Sequence, residues 1–450
     1  MNVRGVAAIA LSAGAILIAG CGGSSSSNGS SGGGGAIPAF NASEKVSISY
    51  WVPFSGGELK FVKDVVRGFE KVHPNVKVNV VGNINDEKII AATRAGNVPD
   101  AALSFTTDNT GVFCKDGTFL DLGAAIKRDG IDLNDFPAPQ RQYTEYKGVR
   151  CVLPAMADTY GLYYNKAMLA QAGIASPPKT VTELSEDAKK LTIRSGNSFK
   201  RVGFTPFIGF YENAAAHLAP MWGATWWKEG DKSAVGTDPG WAQMAEWIKQ
   251  LVSWYGTSSL VRFQAGAGEE FSSSNAFQTG KLAMMVDGEW RTALIKSEAP
   301  GLQYGTVPLP VAEGKNELYG AGYTTGNITG IPKGSAHPGA AWELIKYLAT
   351  EVKPQIELWK DLGNVPTWVP ALAEAKKTAD AQFQTFLEIF ANSHTTTTPI
   401  TGSGEATQKT LENYLEKYQA GGGGDLKQGL AQVASQIDAQ EAQATAGSVP

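Results

Sequence analysis

Between Val46 and Ser104 the chain changes apolar period four times, and few folds accept that pattern. Val46, Ile48 and Tyr50 alternate with other residues, as a strand with one buried face requires. Leu59, Val62, Val65, Val66 and Phe69 then recur at helical spacing until His73-Pro74 ends the run. Val76, Val78 and Val80 return to period two, a polar helix follows near 86–95, and Pro99-Asp100 leads into the apolar Ala101-Ala102-Leu103. A βαβαβ order predicts an α/β fold with a mostly parallel sheet and helices on its faces. Ligands of such sheets gather beyond the carboxyl ends of the strands. Here those ends are Trp51 and the polar loop Ser104–Asn109.

After about residue 157 helices dominate, with expected positions near 166–172, 181–194, 211–221 and 239–255. Trp241, Met244, Ile248, Leu251 and Trp254 share one helical stripe and read as core. A strand over 282–286, a helical face at Ala341, Trp342, Ile345 and Leu348, and two final helices parted by Gly421–Gly424 complete the pattern. No linker-like stretch divides 45–420, so two lobes crossed more than once by the chain fit better than separate beads.

Composition narrows the function. The 450 residues are 43% hydrophobic and 18% charged, with a net charge of −4 and no basic run, so the chain has no field with which to neutralise phosphates of a nucleic acid. Three cysteines and four scattered histidines offer no metal-ligand spacing, and no cofactor motif stands out. After the first twenty residues no apolar run reaches the roughly 20 residues of a membrane helix. Residues 1–20 read as a signal peptide, with Arg4 ahead of an apolar stretch, and end in Leu17-Ile18-Ala19-Gly20-Cys21, which looks like a lipobox. Cys21 is then the lipidation site, and 21–43 form the anchor and a Gly/Ser tether; an ordinary cleavable signal is the alternative. Export places the chain outside the cytoplasm, held to the cell membrane by its lipid. It also makes a disulfide between Cys114 and Cys151 the economical reading, against two buried thiols.

Several segments, in order, resemble the extracellular solute-binding proteins of family 1, the group that includes maltose-binding protein and serves ABC importers. They are Phe69-Glu70-Lys71-Val72-His73-Pro74-Asn75-Val76-Lys77-Val78; Gly96-Asn97-Val98-Pro99-Asp100; Tyr160-Gly161-Leu162-Tyr163-Tyr164-Asn165-Lys166; Phe277-Gln278-Thr279-Gly280-Lys281-Leu282-Ala283-Met284-Met285 with Gly288 and Trp290; Gly330-Ile331-Pro332-Lys333-Gly334; and Gly363-Asn364-Val365-Pro366-Thr367. The resemblance implies a two-lobed, type II periplasmic-binding-protein-like fold with the ligand cleft between the lobes. Lobe 1 is expected over 44–156 plus 321–372, and lobe 2 over 157–320 plus 373–450. It also implies a monomer that binds a carbohydrate by hinge closure and delivers it to the transmembrane subunits of an ABC permease.

Sugars present apolar C–H faces ringed by hydroxyls, so a site needs aromatic plates beside carboxylates and amides. Trp290, after Asp287-Gly288-Glu289, matches the family position whose tryptophan stacks on sugar rings; a core residue of its own lobe is the alternative. Trp51 and Asp158 follow, the latter where the family places a hinge carboxylate, with a helix cap or an exposed turn as its alternatives. Thr107 and Asp108 lie in the loop after the third strand. Trp222 is favoured over Trp226 and Trp227 to face the cleft. Gly322 and Tyr323 fall in a crossing segment, and Thr395–Thr398 reads as a solvated loop, with the far wall of the cleft as its alternative. Trp241, Trp247, Trp254, Trp342 and Trp359 read as structural. A glycerol phosphodiester is the alternative ligand, with Arg291 as the one cation beside a candidate residue. No nucleophile or metal motif supports an enzyme, and the pair Asp287/Glu289 fits a turn better than a glycosidase.

Overall fold

The computed structural model describes residues 36–115, 117–228 and 232–446. The signal segment, Cys21 and the Gly/Ser run lie outside these. Seven strands make one sheet: β1 (Val46–Trp51), β2 (Val76–Val81), β3 (Ala101–Ser104), β4 (Val152–Asn165), β5 (Met284–Gly288), β6 (Tyr304–Val307) and β7 (Thr324–Gly330). Across the sheet the order is β6-β4-β7-β3-β1-β2, with β5 also paired to β4.

The βαβαβ start forms as the periods require. Val62, Val65, Val66 and Phe69 are the buried stripe of the helix Gly56–Val72. Asn85 caps Asp86–Ala95 by accepting from the Lys88 amide at 3.1 Å, and Gly96 ends that helix at φ 71°, a conformation that costs glycine little. β1 runs parallel to both β2 and β3. The expectation of a mostly parallel sheet fails beyond that point. β7 is antiparallel to β3, β4 is antiparallel to β7, and β5 and β6 are antiparallel to β4. The reason is β4, fourteen residues long, whose first half pairs with β7 and whose second half carries β5 and β6.

Two large cores result. One gathers β1–β3 with Trp342, Ile345 and Leu348, and the other gathers the helices of 169–277 with Leu411, Leu415, Leu430 and Val433. Where the chain passes between them, Ala157 and Val365 exchange two backbone hydrogen bonds of 2.9 Å, over a small cluster of Leu372, Phe383, Leu387 and Phe390. Cys114 and Cys151 are bonded, with their Cα atoms 5.3 Å apart.

Other expectations also need correction. The tether does not extend to residue 43, because Ile37 is buried in the first core, its carbonyl accepts from Arg128 Nη1 at 2.7 Å, and Phe40 packs alongside. Trp254 is 39% exposed, since the buried stripe passes from Leu251 to Tyr255 and leaves residue 254 beside it; its ring lies under the Arg194 guanidinium, 4.8 Å away. The expected helix over 211–221 is only Ala215–Leu218, continued by a 3-10 turn through Trp222. Among the described residues no helix is long and apolar enough to cross a membrane.

Candidate ligand-binding site

Residues 158 and 160 of β4 point to one face, because strand side chains alternate. Register fixes their neighbours: Asp158 stands opposite Thr325 of β7, and Tyr160 opposite Gly288 of β5. Asp158 is therefore on a strand and buried, neither a helix cap nor an exposed turn. Its Oδ1 accepts from Asn364 Nδ2 at 2.7 Å, and its Oδ2 lies 3.4 Å from Asn327 Nδ2. The buried Glu289 accepts from the Thr159 amide at 2.6 Å and lies 3.4 Å from the same Asn364 nitrogen. Burial pushes Asp158 up to about 7 and carries Glu289 well above the usual carboxylate range, with the mutual proximity of the two acids adding to the rise at Glu289. Two carboxyl groups sharing one amide away from water cannot both ionise readily.

An aromatic wall adjoins this pair. The Tyr160 ring stacks on His217 at 3.7 Å, meets Trp290 edge-on at 5.6 Å, and is 5.8 Å from Tyr323. Trp290 stands in the turn between β5 and the helix Arg291–Glu298, where Gly288 makes room for it. A Cβ on Gly288 would lie 2.1 Å from the indole Cζ3. The indole Nε1 is buried and has no partner among the described residues. The Tyr323 hydroxyl hydrogen-bonds the Thr398 hydroxyl, and the Gly322 amide donates to Thr395 Oγ1 at 3.2 Å. Thr395, Thr397 and Thr398 are buried, so the run is not a solvated loop; the hydroxyls of Thr395 and Thr398 serve the crossing segment instead.

The loop after β3 brings the third side. Thr107 hydrogen-bonds Thr325 through their hydroxyls at 2.8 Å. Asp108 accepts from Gln408 Nε2 of the helix Ala406–Gln419, while its Oδ1 has no partner among the described residues. Burial, and then the charge of Glu405, push Asp108 up to about 7.

Of the candidates read from sequence, Asp158, Trp290 and Tyr323 thus come together around Tyr160, and Thr107, Asp108 and Gly322 adjoin them through Thr325, Gln408 and the threonine run. Trp222 does not. It is 3% exposed and packs 5.2 Å from Trp247 inside the second core, because the 3-10 turn that carries it rolls its ring inward. Trp51 packs beside a separate cluster around Ile84 and Ile89, with Lys88 5.6 Å from its ring. Arg291 is fully buried, its Nε donating to Asp287 Oδ2 at 2.6 Å and its Nη1 to Gln278. Sequence reasoning missed Tyr160, His217, Glu289, Asn327, Asn364 and Gln408. Tyr160 had a signal, two residues from Asp158 on a strand; His217 had none, since only the fold sets it against Tyr160.

The profile of the bacterial extracellular solute-binding proteins matches residues 64–385, most of the chain. The chain belongs to this family. Like other solute-binding proteins it has distant relatives of known name. The maltotriose-binding protein of Pyrococcus abyssi is 24% identical over 319 residues, which cover 70% of this chain and 65%, just under two thirds, of that protein. The maltooligosaccharide ABC transporter solute-binding lipoprotein of Streptococcus pneumoniae is 24% identical over 363 residues, 77% of each chain. The structure of CpMnBP1 with mannotriose bound superposes with a TM-score of 0.76 at 26% identity, covering 87% of this solute-binding protein and all of the other. The two-lobed fold is thus that of the sugar-binding solute receptors.

Proposed function

We propose that this solute-binding protein captures a neutral mono- or oligosaccharide and delivers it to the membrane subunits of an ABC importer, as a monomer lipidated on Cys21. The site is the group of Asp158, Trp290, Gly322 and Tyr323 with Thr107 and Asp108 on the facing loop. Lobe 1 is then 44–156 plus 321–372, and lobe 2 is 157–320 plus 373–450, with Asp158 at the crossing.

One observation carries the reading: aromatic rings and unpaired buried polar atoms occur together where the two cores meet. Trp290 Nε1, Asp108 Oδ1 and Asn327 Oδ1 each lack a partner among the described residues. A buried polar atom left so costs about 1–3 kcal/mol, which ligand hydroxyls recover. The names of the relatives, binders of maltotriose and maltooligosaccharides, and the mannotriose in CpMnBP1 point the same way. The phosphodiester alternative loses its cation, since Arg291 is committed to Asp287. Capture drives closure only if the ligand favours the closed arrangement over the open one.

A thermal-shift panel of maltotriose, mannobiose, mannotriose, tagatose and glycerol 3-phosphate tests the proposal. A true ligand at 100 times its Kd stabilises by about 2.7 kcal/mol. A shift with a sugar, abolished in Trp290→Ala, is expected; a shift with glycerol 3-phosphate alone overturns the reading.

A further inference from the structure

The imidazole of His217 sits inside the aromatic wall, yet nothing described so far gives it a task. Its ring is stacked on Tyr160 at 3.7 Å and lies 5.1 Å from Tyr323. Its Nδ1 is 2.7 Å from the Glu212 backbone carbonyl, with the Glu212 carboxylate oxygen further away at 3.6 Å. A carbonyl oxygen can only accept, so Nδ1 must carry the proton. In the neutral ring this leaves Nε2 with a bare lone pair, and no hydrogen bond to Nε2 is made among the described residues. The backbone contact has therefore fixed the tautomer, and it presents an acceptor on the edge of a ring that belongs to the site.

We propose that His217 Nε2 accepts a hydrogen bond from one ligand hydroxyl, and that this makes the site selective for neutral polyols over anions. This rests on the sugar-binding reading above and deepens it. A hydroxyl brings the proton that Nε2 lacks, whereas an ionised phosphate or carboxylate oxygen brings only lone pairs and is repelled. The surroundings offer carboxyl groups: Glu212, Asp158 and Glu289 lie around Tyr160, and burial holds Glu212 and Glu289 toward their protonated forms. The nearby cation, Arg291, is paired with Asp287. Burial depresses the His217 pKa to about 4, which agrees with a neutral ring at physiological pH.

The test uses the purified chain, with maltotriose and mannotriose as sugar probes and glycerol 3-phosphate as the anion. Histidine-labelled protein, with His217→Phe as the assignment control, is read by nitrogen NMR. The expected result is a neutral His217 protonated on Nδ1, whose Nε2 resonance moves upfield when the sugar is added. Calorimetry of His217→Phe, which keeps a ring for Tyr160 to stack on, should show about tenfold weaker sugar binding, the loss of one hydrogen bond. His217→Gln, whose amide oxygen can reach the Nε2 position, should recover part of that loss. Protonation on Nε2, or unchanged affinity in His217→Phe while the wild type binds sugar, overturns the histidine assignment alone. If the wild type binds neither sugar, the sugar-binding reading and the assignment fall together; if it binds glycerol 3-phosphate as tightly as sugar, the selectivity claim falls.

Discussion

The Cys114–Cys151 bridge ties the short helix Thr110–Lys115, which starts two residues after Asp108, to the chain just ahead of β4. It closes a loop of 37 residues. In the chain-entropy account, a loop of that length removes about 13 cal/mol/K from the unfolded ensemble, or roughly 4 kcal/mol at 25 °C. About 400 folded residues unfold with an entropy near 0.85 kcal/mol/K, so the bridge is worth about 4–5 °C in Tm. Both sulfurs are buried, so a reductant added to the native protein is a poor probe. The better perturbation is to unfold, reduce, and refold under reductant, which breaks the bond without carving a cavity. Scanning calorimetry then compares oxidised and reduced chains, with Cys114→Ala/Cys151→Ala as a second case that adds a small packing loss. If the reduced chain melts within about 1 °C of the oxidised one, the entropic argument is wrong for this loop. If alkylation in denaturant without reductant labels both cysteines, the bridge itself is absent.

Two further outcomes are expected. Asp158 and Asp108 are held up to about 7 by burial, against about 3.9 in the unfolded chain, so the fold keeps protons that the unfolded state gives up. Their contribution is full below about 4 and is lost as pH rises through 7, while His217, depressed to about 4, acts in the opposite sense below about 6.5. The Tm difference between wild type and Asp158→Asn, followed from pH 5 to 8, should therefore shift against the wild type as pH rises, and a pH-independent difference refutes the burial argument. In Gly288→Ala the new methyl would meet the Trp290 indole 2.1 Å away, so the ring must leave its place. That variant should lose about 1–3 kcal/mol of stability and most of its sugar-induced thermal shift; wild-type sugar affinity would show that Trp290 is no part of the site.

The early strands and helices were legible because their apolar periods are local properties. Val62, Val65, Val66 and Phe69 announce a helix whatever it packs against. The direction of the later strands was not legible, because β4 is buried on both faces and its run of apolar residues does not say which partners it finds. Trp290 could be placed from its turn, since the small Gly288 and the strand-to-helix change stand beside it in sequence. Trp222 could not, because a turn of 3-10 helix decides whether its ring faces a core or a ligand. The Asp158–Asn364–Glu289 contact joins residues separated by 206 and 75 positions, and no spacing rule reaches that far.

The seating of Ile37 and Phe40 against the first core has a mechanical consequence. Any pull applied to the chain ahead of residue 37 is taken up by that core and by the Arg128 hydrogen bond to the Ile37 carbonyl. The crossing at Ala157 and Val365 lies downstream of this purchase. Were the chain held ahead of residue 37, the hold would fall on the first core and reach the second only through what joins the two.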